Sequence, residues 1–121
     1  SPNGSMISFL DRFFYAGNGA GIFAHKPGAA IVSARRAGTT ASLDVLNKYF
    51  TFANMPIVSS NYWNMVHGNT PAEVQQDKEG LQIMRRIGDN MAWLLKCIEA
   101  GKQAGIQTPE AEAKIKTNFI R

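Results

Sequence analysis

Short apolar runs alternate with helical apolar stripes along this chain. Residues 5–15 carry apolar side chains at intervals of three and four, which predicts a core-facing helix with Ser5 as its cap. Residues 29–32 form an apolar run without polar alternation, as in a strand buried on both faces of a parallel sheet. Leu43 begins a second apolar stripe, which predicts a helix over 40–53.

The second half of the chain repeats this alternation with longer segments. The run 55–60 predicts a second short buried strand, and 61–69 is an irregular stretch rich in large side chains. The motif Thr70-Pro71-Ala72-Glu73 predicts a capping box that starts a long helix reaching about residue 100. Gly80 predicts a break in that helix, or close approach by another part of the chain.

The predicted order is therefore helix, strand, helix, strand and long helix, which indicates an α/β sheet with helices on both faces. Two parallel strands do not make a stable sheet alone, so we expect 29–32 to be a central strand that is paired on both edges. One edge and the apolar helix faces would then be uncovered in this chain. We expect either an N-terminal part of the same protein or identical chains in a homo-oligomer to cover them.

Composition limits the classes of function. The 121 residues fit a single domain over 1–121, with 106–121 as a polar C-terminal tail that could begin with a short helix at Thr108. The net charge is +4, but Lys and Arg are scattered, so no nucleic-acid partner is expected. The single cysteine, Cys97, excludes an internal disulfide and fits a cytoplasmic setting. No run is long enough to span a membrane, and no metal site is expected.

A polar turn follows the predicted strand 29–32, and a helix begins after it near Thr39 or Thr40. This is where open α/β sheets place ligands, and the helix N-terminus suits an anion or an electron-rich ring edge. The alternative is an ordinary loop in which Arg35 and Arg36 are solvated.

The stretch 61–69 should lie on the same rim if it leaves the carboxyl end of the second strand. Its large side chains, Tyr62, Trp63 and His67, then form a pocket wall over a flat ligand, or else a hydrophobic plug at the sheet edge. For His67 itself, a structural or solvated histidine is favoured over a proton donor.

Several segments, taken in order, are similar to one known family. These are Ser1-Pro2-Asn3-Gly4-Ser5 followed by Phe9-Leu10-Asp11-Arg12, the run 31–40, Tyr62-Trp63-Asn64, and Asp77-Lys78-Glu79-Gly80-Leu81. They resemble the flavodoxin-like NADPH-dependent FMN reductases. The resemblance implies a three-layer sandwich around a parallel sheet, of which this chain holds the C-terminal part. The resemblance thus implies that the N-terminal strands and the phosphate loop of the fold are absent from this chain.

The resemblance also implies a function and a site. The function is FMN-dependent NAD(P)H oxidoreduction, with a quinone, nitro compound, metal ion or flavin as the small-molecule acceptor. Backbone N–H groups would hold the flavin ring, and a nearby positive charge would favour its reduced form. The implied cofactor-binding residues are Ser1, Pro2, Asn3, Gly4, Ser5, Ser33, Arg35, Arg36, Gly38 and Thr39.

Two other functions fit parts of the sequence. A non-catalytic module could use the basic loop at the helix N-terminus to hold a phosphate or an acidic protein. A nucleic-acid binder is suggested only by the net charge. Titration with FMN, FAD and inorganic phosphate would distinguish the non-catalytic module from the oxidoreductase. Phosphate binding without a preference for flavins would favour the module.

Overall fold

The computed structural model describes residues 1–120, in which helices and two short strands alternate. The elements are α1 (Gly4–Gly19), β1 (Val32–Ala34), α2 (Thr39–Phe52), β2 (Met65–His67), α3 (Pro71–Val74) and α4 (Lys78–Gln103). The prediction of a mixed α/β fold with parallel strands is confirmed at this level.

Helix α1 is longer than predicted and has a different cap. The Oδ1 atom of Asn3, rather than Ser5, accepts a hydrogen bond from the Met6 backbone N–H at 2.8 Å. The helix also continues through the glycine-containing residues 16–19. Gly17 allows this, because the ring of Phe23 packs where a Cβ would lie, only 2.1 Å away.

The buried core lies between α1 and α2. Phe14, Phe23 and Ala53 form its centre, and Tyr49 and Phe50 pack against it. The rings of Phe14 and Phe23 are tilted, with centroids 4.8 Å apart. The ring of Phe14 in α1 also packs against that of Tyr49 in α2, with centroids 5.4 Å apart, and this aromatic contact links the two helices.

The strands lie later in the chain than predicted. Runs 29–32 and 55–60 were expected, whereas β1 pairs Val32 with Met65 in parallel register. An isolated parallel bridge joins Gly28 to Ile57. Val32 follows Gly28 by four positions but Met65 follows Ile57 by eight, so the extra residues loop out and pairing resumes at Met65.

Asn64 spans the interruption between the bridge and the strand pair. Its buried Nδ2 donates to the Ala30 carbonyl at 3.1 Å, and its own backbone carbonyl accepts from the Val32 N–H at 2.9 Å. A side chain thus supplies one of the hydrogen bonds that a regular ladder would supply from backbone.

β1 has one free edge within the described residues, as we expected for this chain, and its place as a central strand of a larger sheet stays a prediction. Within residues 1–120 it pairs only with β2, and neighbouring Ile31 is 60% exposed. The N–H of Val32 donates toward the β2 side, so the alternate residues Ile31 and Ser33 direct their N–H and C=O groups to the opposite edge.

Helices pack on both faces of β2. The Sδ atom of Met65 accepts from the Thr39 hydroxyl of α2 at 3.3 Å. The next side chain, Val66, lies 2.8 Å from where a Cβ on Gly80 of α4 would be. Because successive strand side chains point to opposite faces, α2 and α4 lie on opposite sides of the strand.

The predicted boundaries of α2 hold, and those of the long helix need correction. α2 begins at Thr39 after Gly38, which has φ 91°, and Asn54 with φ 56° follows its end. The long helix breaks at residues 75–77 rather than near Gly80, because Asp77 caps a new helix.

The capping box at Thr70 differs from the predicted form in one bond. Thr70 Oγ1 accepts from the Glu73 N–H at 3.2 Å as expected, with Pro71 in the first helical position. Glu73, however, accepts from the Asn69 N–H at 2.6 Å instead of returning to Thr70. The residue types therefore identified the helix start, although the reciprocal bond is shifted by one position.

Residues 106–120 contain no helix or strand, so the short helix suggested at Thr108 does not form. The tail is exposed throughout these residues. Among residues 1–120, no helix is both long and apolar enough to cross a bilayer.

Candidate functional site

A cleft of about 430 Å³ opens where the start of α1 meets the β1–α2 loop. It lies at the carboxyl end of β1, the position where open α/β sheets bind ligands. Its lining side chains are uncharged: Ser1, Pro2, Asn3, Met6, Ile31, Val32, Ser33, Ala34, Ala37, Gly38, Ser42 and Leu46. The cleft therefore suits a ligand surface that is neutral and partly apolar.

The N-terminus of α2 supplies hydrogen-bond donors at the wall of this cleft. Gly38 caps the helix in a left-handed conformation, without any side-chain cap. No acidic side chain lies in the first turn. The unpaired first-turn N–H groups and the helix dipole therefore favour an electron-rich atom near Gly38.

The free edge of β1 supplies a second set of backbone groups. Ser33 is exposed, lines the cleft and directs its N–H and C=O away from β2. A flat ligand in the cleft thus meets donors and acceptors from the strand edge as well as from the helix end.

An apolar groove continues from the cleft beneath α1. It has a volume of about 210 Å³ and shares Met6, Ile31 and Leu46 with the cleft. Phe14 and Phe50 close its far end.

The structure brings together half of the predicted cofactor-binding residues. Those that line the cleft are Ser1, Pro2, Asn3, Ser33 and Gly38. The two loops that the resemblance placed on one site therefore do meet.

The other predicted cofactor-binding residues lie outside the cleft lining. Gly4 and Ser5 are exposed in the first turn of α1, where the chain has turned into the helix. Arg35 and Arg36 are exposed. Thr39 is buried, because its hydroxyl bonds Met65 on the sheet side.

The predicted wall residues do not share the rim of the cleft. Tyr62 and Trp63 form an edge-to-face pair with centroids 4.7 Å apart and are exposed. They precede β2, whereas the loop after Ala34 follows β1, so in a parallel pair they lie at opposite ends. The prediction that they leave the carboxyl end of a strand was wrong because β2 lies within 61–69.

His67 does lie at the carboxyl end, where it pairs in register with Ala34. Its backbone N–H donates to Asp77 Oδ2 at 2.7 Å, and its Nδ1 lies 3.9 Å from the same oxygen. Asp77 Oδ1 also accepts from the Gly80 N–H at 2.8 Å. These backbone bonds, that of Gly80 first, hold the pKa of the Asp77 carboxyl below its usual value of 3.8.

Several cleft residues were missed by the analysis of motifs. Met6 and Leu46 were assigned to apolar core stripes, and Ser42 was not considered. The sequence did hold a signal for Met6. Residues 5–15 carry more apolar side chains than one helix face can bury against α2, so some of them were available to line a cleft.

No group of three or more His, Cys, Asp or Glu side chains within residues 1–120 is placed to hold a metal ion.

Comparison with known proteins gives one match. A family model described as NADPH-dependent FMN reductase matches residues 1–70, which is more than half of the chain. The matched range includes α1, β1, α2 and β2 and every residue that lines the cleft. Neither the curated proteins nor the solved structures contain a match.

Proposed function

This chain belongs to the NADPH-dependent FMN reductase family, and on that premise we propose that its cleft holds the flavin ring of FMN in an NAD(P)H-dependent oxidoreductase. The family implies an oxidoreductase that uses FMN and NADPH. The observation that supports the proposed site most directly is the meeting of residues 1–3 with residues 33–38 in one cleft.

The residues of the cleft fit the flavin ring better than they fit a phosphate. The ring system is flat and uncharged, with polar atoms along one edge, and the lining combines uncharged polar groups with Met6, Ile31 and Leu46. A phosphate site commonly adds cationic side chains to such backbone N–H groups, and both Arg35 and Arg36 lie outside the lining. This contrast favours a flavin site over the anion-binding module.

Bound FMN supplies the hydride chemistry of this enzyme class, so the chain needs to bind and orient it rather than to provide an acid or a base. The N–H groups at the start of α2 orient the polar ring edge toward Gly38. Met6 and Leu46 exclude water from the apolar part of the ring.

NAD(P)H is the proposed electron donor, and the proposed acceptor is a quinone, nitro compound, metal ion or flavin. The donor and the acceptor would each approach the bound flavin in turn.

A matched pair of glycine variants tests the cleft. Gly38 and Gly105 both have positive φ values, 91° and 85°, and neither has a neighbouring atom within 4 Å of the point where a Cβ would lie. Val strains the backbone equally at both positions, but only position 38 lines the cleft. We expect Gly38→Val to raise the Kd for FMN by at least about tenfold, measured by quenching of flavin fluorescence.

Gly105→Val is the control and should leave the Kd within about twofold of the wild type. Equal effects of the two variants would show that backbone strain, not the cleft, governs binding. Failure of the wild-type protein to take up FMN at all would contradict the proposed site outright.

A further inference from the structure

Ser42 carries a hydroxyl that makes no hydrogen bond within residues 1–120. The residue is only 6% exposed and lies one helical turn beyond Gly38 on α2. The Thr39 hydroxyl of the same helix is engaged, since it donates to Met65 Sδ at 3.3 Å. The Gly38 carbonyl accepts the backbone N–H of Ser42 at 3.0 Å, but not its hydroxyl.

The unused hydroxyl of Ser42 is reached through the cleft. Within residues 1–120, the polar side-chain atoms that are sealed from the surface without a partner are Asn47 Oδ1 and Asn64 Oδ1. Ser42 Oγ is not one of them, so it is accessible from outside. Because Ser42 lines the cleft, the cleft gives that access. A buried hydroxyl without a partner is a group that a bound ligand can satisfy.

Both walls of the cleft change from polar to apolar in the same direction. α2 presents Gly38, Ser42 and Leu46 at intervals of four residues, on one face and about 6 Å apart along the helix axis. α1 presents Asn3 and then Met6. Met6 and Leu46 also line the apolar groove beneath α1, which marks the apolar end of the cleft. On α2, Ser42 is the last hydrogen-bonding side chain before that end.

We propose that the Ser42 hydroxyl binds the flavin ring of FMN at its ring nitrogen N5. The inference rests on the proposed function, because it takes the flavin as the ligand of the cleft. A ring with its polar pyrimidine part at Gly38 and its dimethylbenzene part at Leu46 presents its central ring to Ser42. N5 is the hydrogen-bond acceptor at the edge of that central ring, so it is the acceptor that Ser42 meets.

A hydroxyl suits N5 in both oxidation states of the flavin. It donates to N5 of the oxidised ring, and it accepts from N5 once hydride transfer from NAD(P)H has placed a hydrogen there. The backbone N–H groups at the start of α2 can only donate. Ser42 therefore holds the ring in one position before and after it is reduced.

Two ligands that differ at N5 alone test this contact. Lumiflavin has the ring nitrogen, whereas 5-deazalumiflavin has a C–H group in its place. We expect the wild type to bind lumiflavin about three- to tenfold more tightly than 5-deazalumiflavin, measured by isothermal titration. Ser42→Ala should lose most of this preference, because it removes the group that recognises N5.

The affinity of Ser42→Ala for 5-deazalumiflavin should stay within about twofold of the wild type, since that ligand does not use the hydroxyl. Ala is a good helix former, so the variant should keep the fold, which circular dichroism would verify. Ser8→Ala is the matched control, because Ser8 is an exposed serine of helix α1 that lies outside the cleft lining. It should bind both ligands as the wild type does.

The contrary results separate this inference from the proposed function. If the wild type binds lumiflavin but Ser42→Ala keeps the full preference, the inference is overturned and the proposed function stands. Equal weakening of both ligands by Ser42→Ala also overturns the inference, because it indicates lost packing rather than a lost hydrogen bond at N5. If the wild type binds neither ligand, the proposed function is contradicted and the inference with it.

Discussion

Asp77 joins three parts of the molecule through one carboxylate. It caps α4 at Gly80, accepts the backbone N–H of His67 and lies beside the His67 ring. Gly80 is required at this point, because a Cβ would come 2.3 Å from Asp77 Oδ2. The carboxyl end of β2 is therefore fixed to the start of α4 by a single residue.

The lowered pKa of Asp77 predicts an acid-sensitive contribution to stability. A carboxyl whose folded pKa lies below its unfolded value stabilises the fold above the unfolded value, about 3.8 here, and loses that contribution as the pH falls through the folded value. Asp77→Asn keeps a capping oxygen but removes this titration. Its free energy of unfolding should thus vary less with pH below about 3.8 than that of the wild type.

Asp77→Ala removes the cap as well and should cost about 1 kcal/mol at neutral pH, measured by urea unfolding. Asp44→Asn, which changes an exposed carboxylate on α2, is the control and should leave the pH dependence nearly as in the wild type. An acid profile of Asp77→Asn that matches the wild type would show that the carboxylate does not carry this effect.

The sequence predicted well where helices start, but it did not always predict which distant groups a side chain contacts. The helix starts near Thr39 and after Thr70 were predicted correctly, since the glycine that precedes the first helix and the threonine that caps the second act locally. The role of Asp77 was not predicted, because it depends on β2 lying next to the start of α4. Contacts between distant elements leave no local pattern in the chain.

At the scale of elements, the interrupted strand pair is the main departure from the predicted fold. Periodicity placed the second strand at 55–60, since that run is short and apolar. Pairing resumes instead at Met65, where Asn64 supplies a side-chain hydrogen bond across the interruption. No apolar pattern could identify a buried asparagine as part of a sheet.

The bridging role of Asn64 can be tested by substitution. Asn64→Ala removes the donor to the buried carbonyl of Ala30 and should lower the free energy of unfolding by about 1–3 kcal/mol. Asn64→Asp should cost more, because it places an acceptor or a charge where a donor is needed. The exposed neighbour Asn61→Ala provides the control, with an expected change within about 0.5 kcal/mol.

Urea unfolding of these three variants measures the ranking. If Asn64→Ala were as stable as Asn61→Ala, the side chain would contribute nothing and the strands would be held by backbone pairing alone. The buried Oδ1 of Asn64 has no hydrogen-bond partner within the described residues, which partly offsets the gain from its Nδ2.

At the scale of the whole molecule, many large apolar side chains are exposed within the described residues. α1 exposes Phe9 and Phe13 on one flank and Tyr15 on the other, and β1 has a free edge within residues 1–120. Covering of that edge by another strand, from the same protein or a second chain, stays a prediction.

The candidate site shows what the family resemblance predicted beyond the hydrophobic pattern of the sequence. Helical stripes and strand runs gave the order of elements, but not the meeting of residues 1–3 with residues 33–38. The resemblance supplied that pairing. The strand pattern put Tyr62 and Trp63 at the wrong end of the sheet, because the boundary of β2 was misjudged.

The most direct test of the central claim compares ligands that share parts of FMN. Isothermal titration of the protein should be performed with FMN, with lumiflavin, which has the ring but no phosphate, and with inorganic phosphate. Because the side chains that line the cleft are uncharged and suit the ring, we predict that lumiflavin binds within about tenfold of FMN and that phosphate does not compete. Competition by phosphate together with no binding of lumiflavin would contradict the account, since the chain would then recognise an anion rather than a flavin ring.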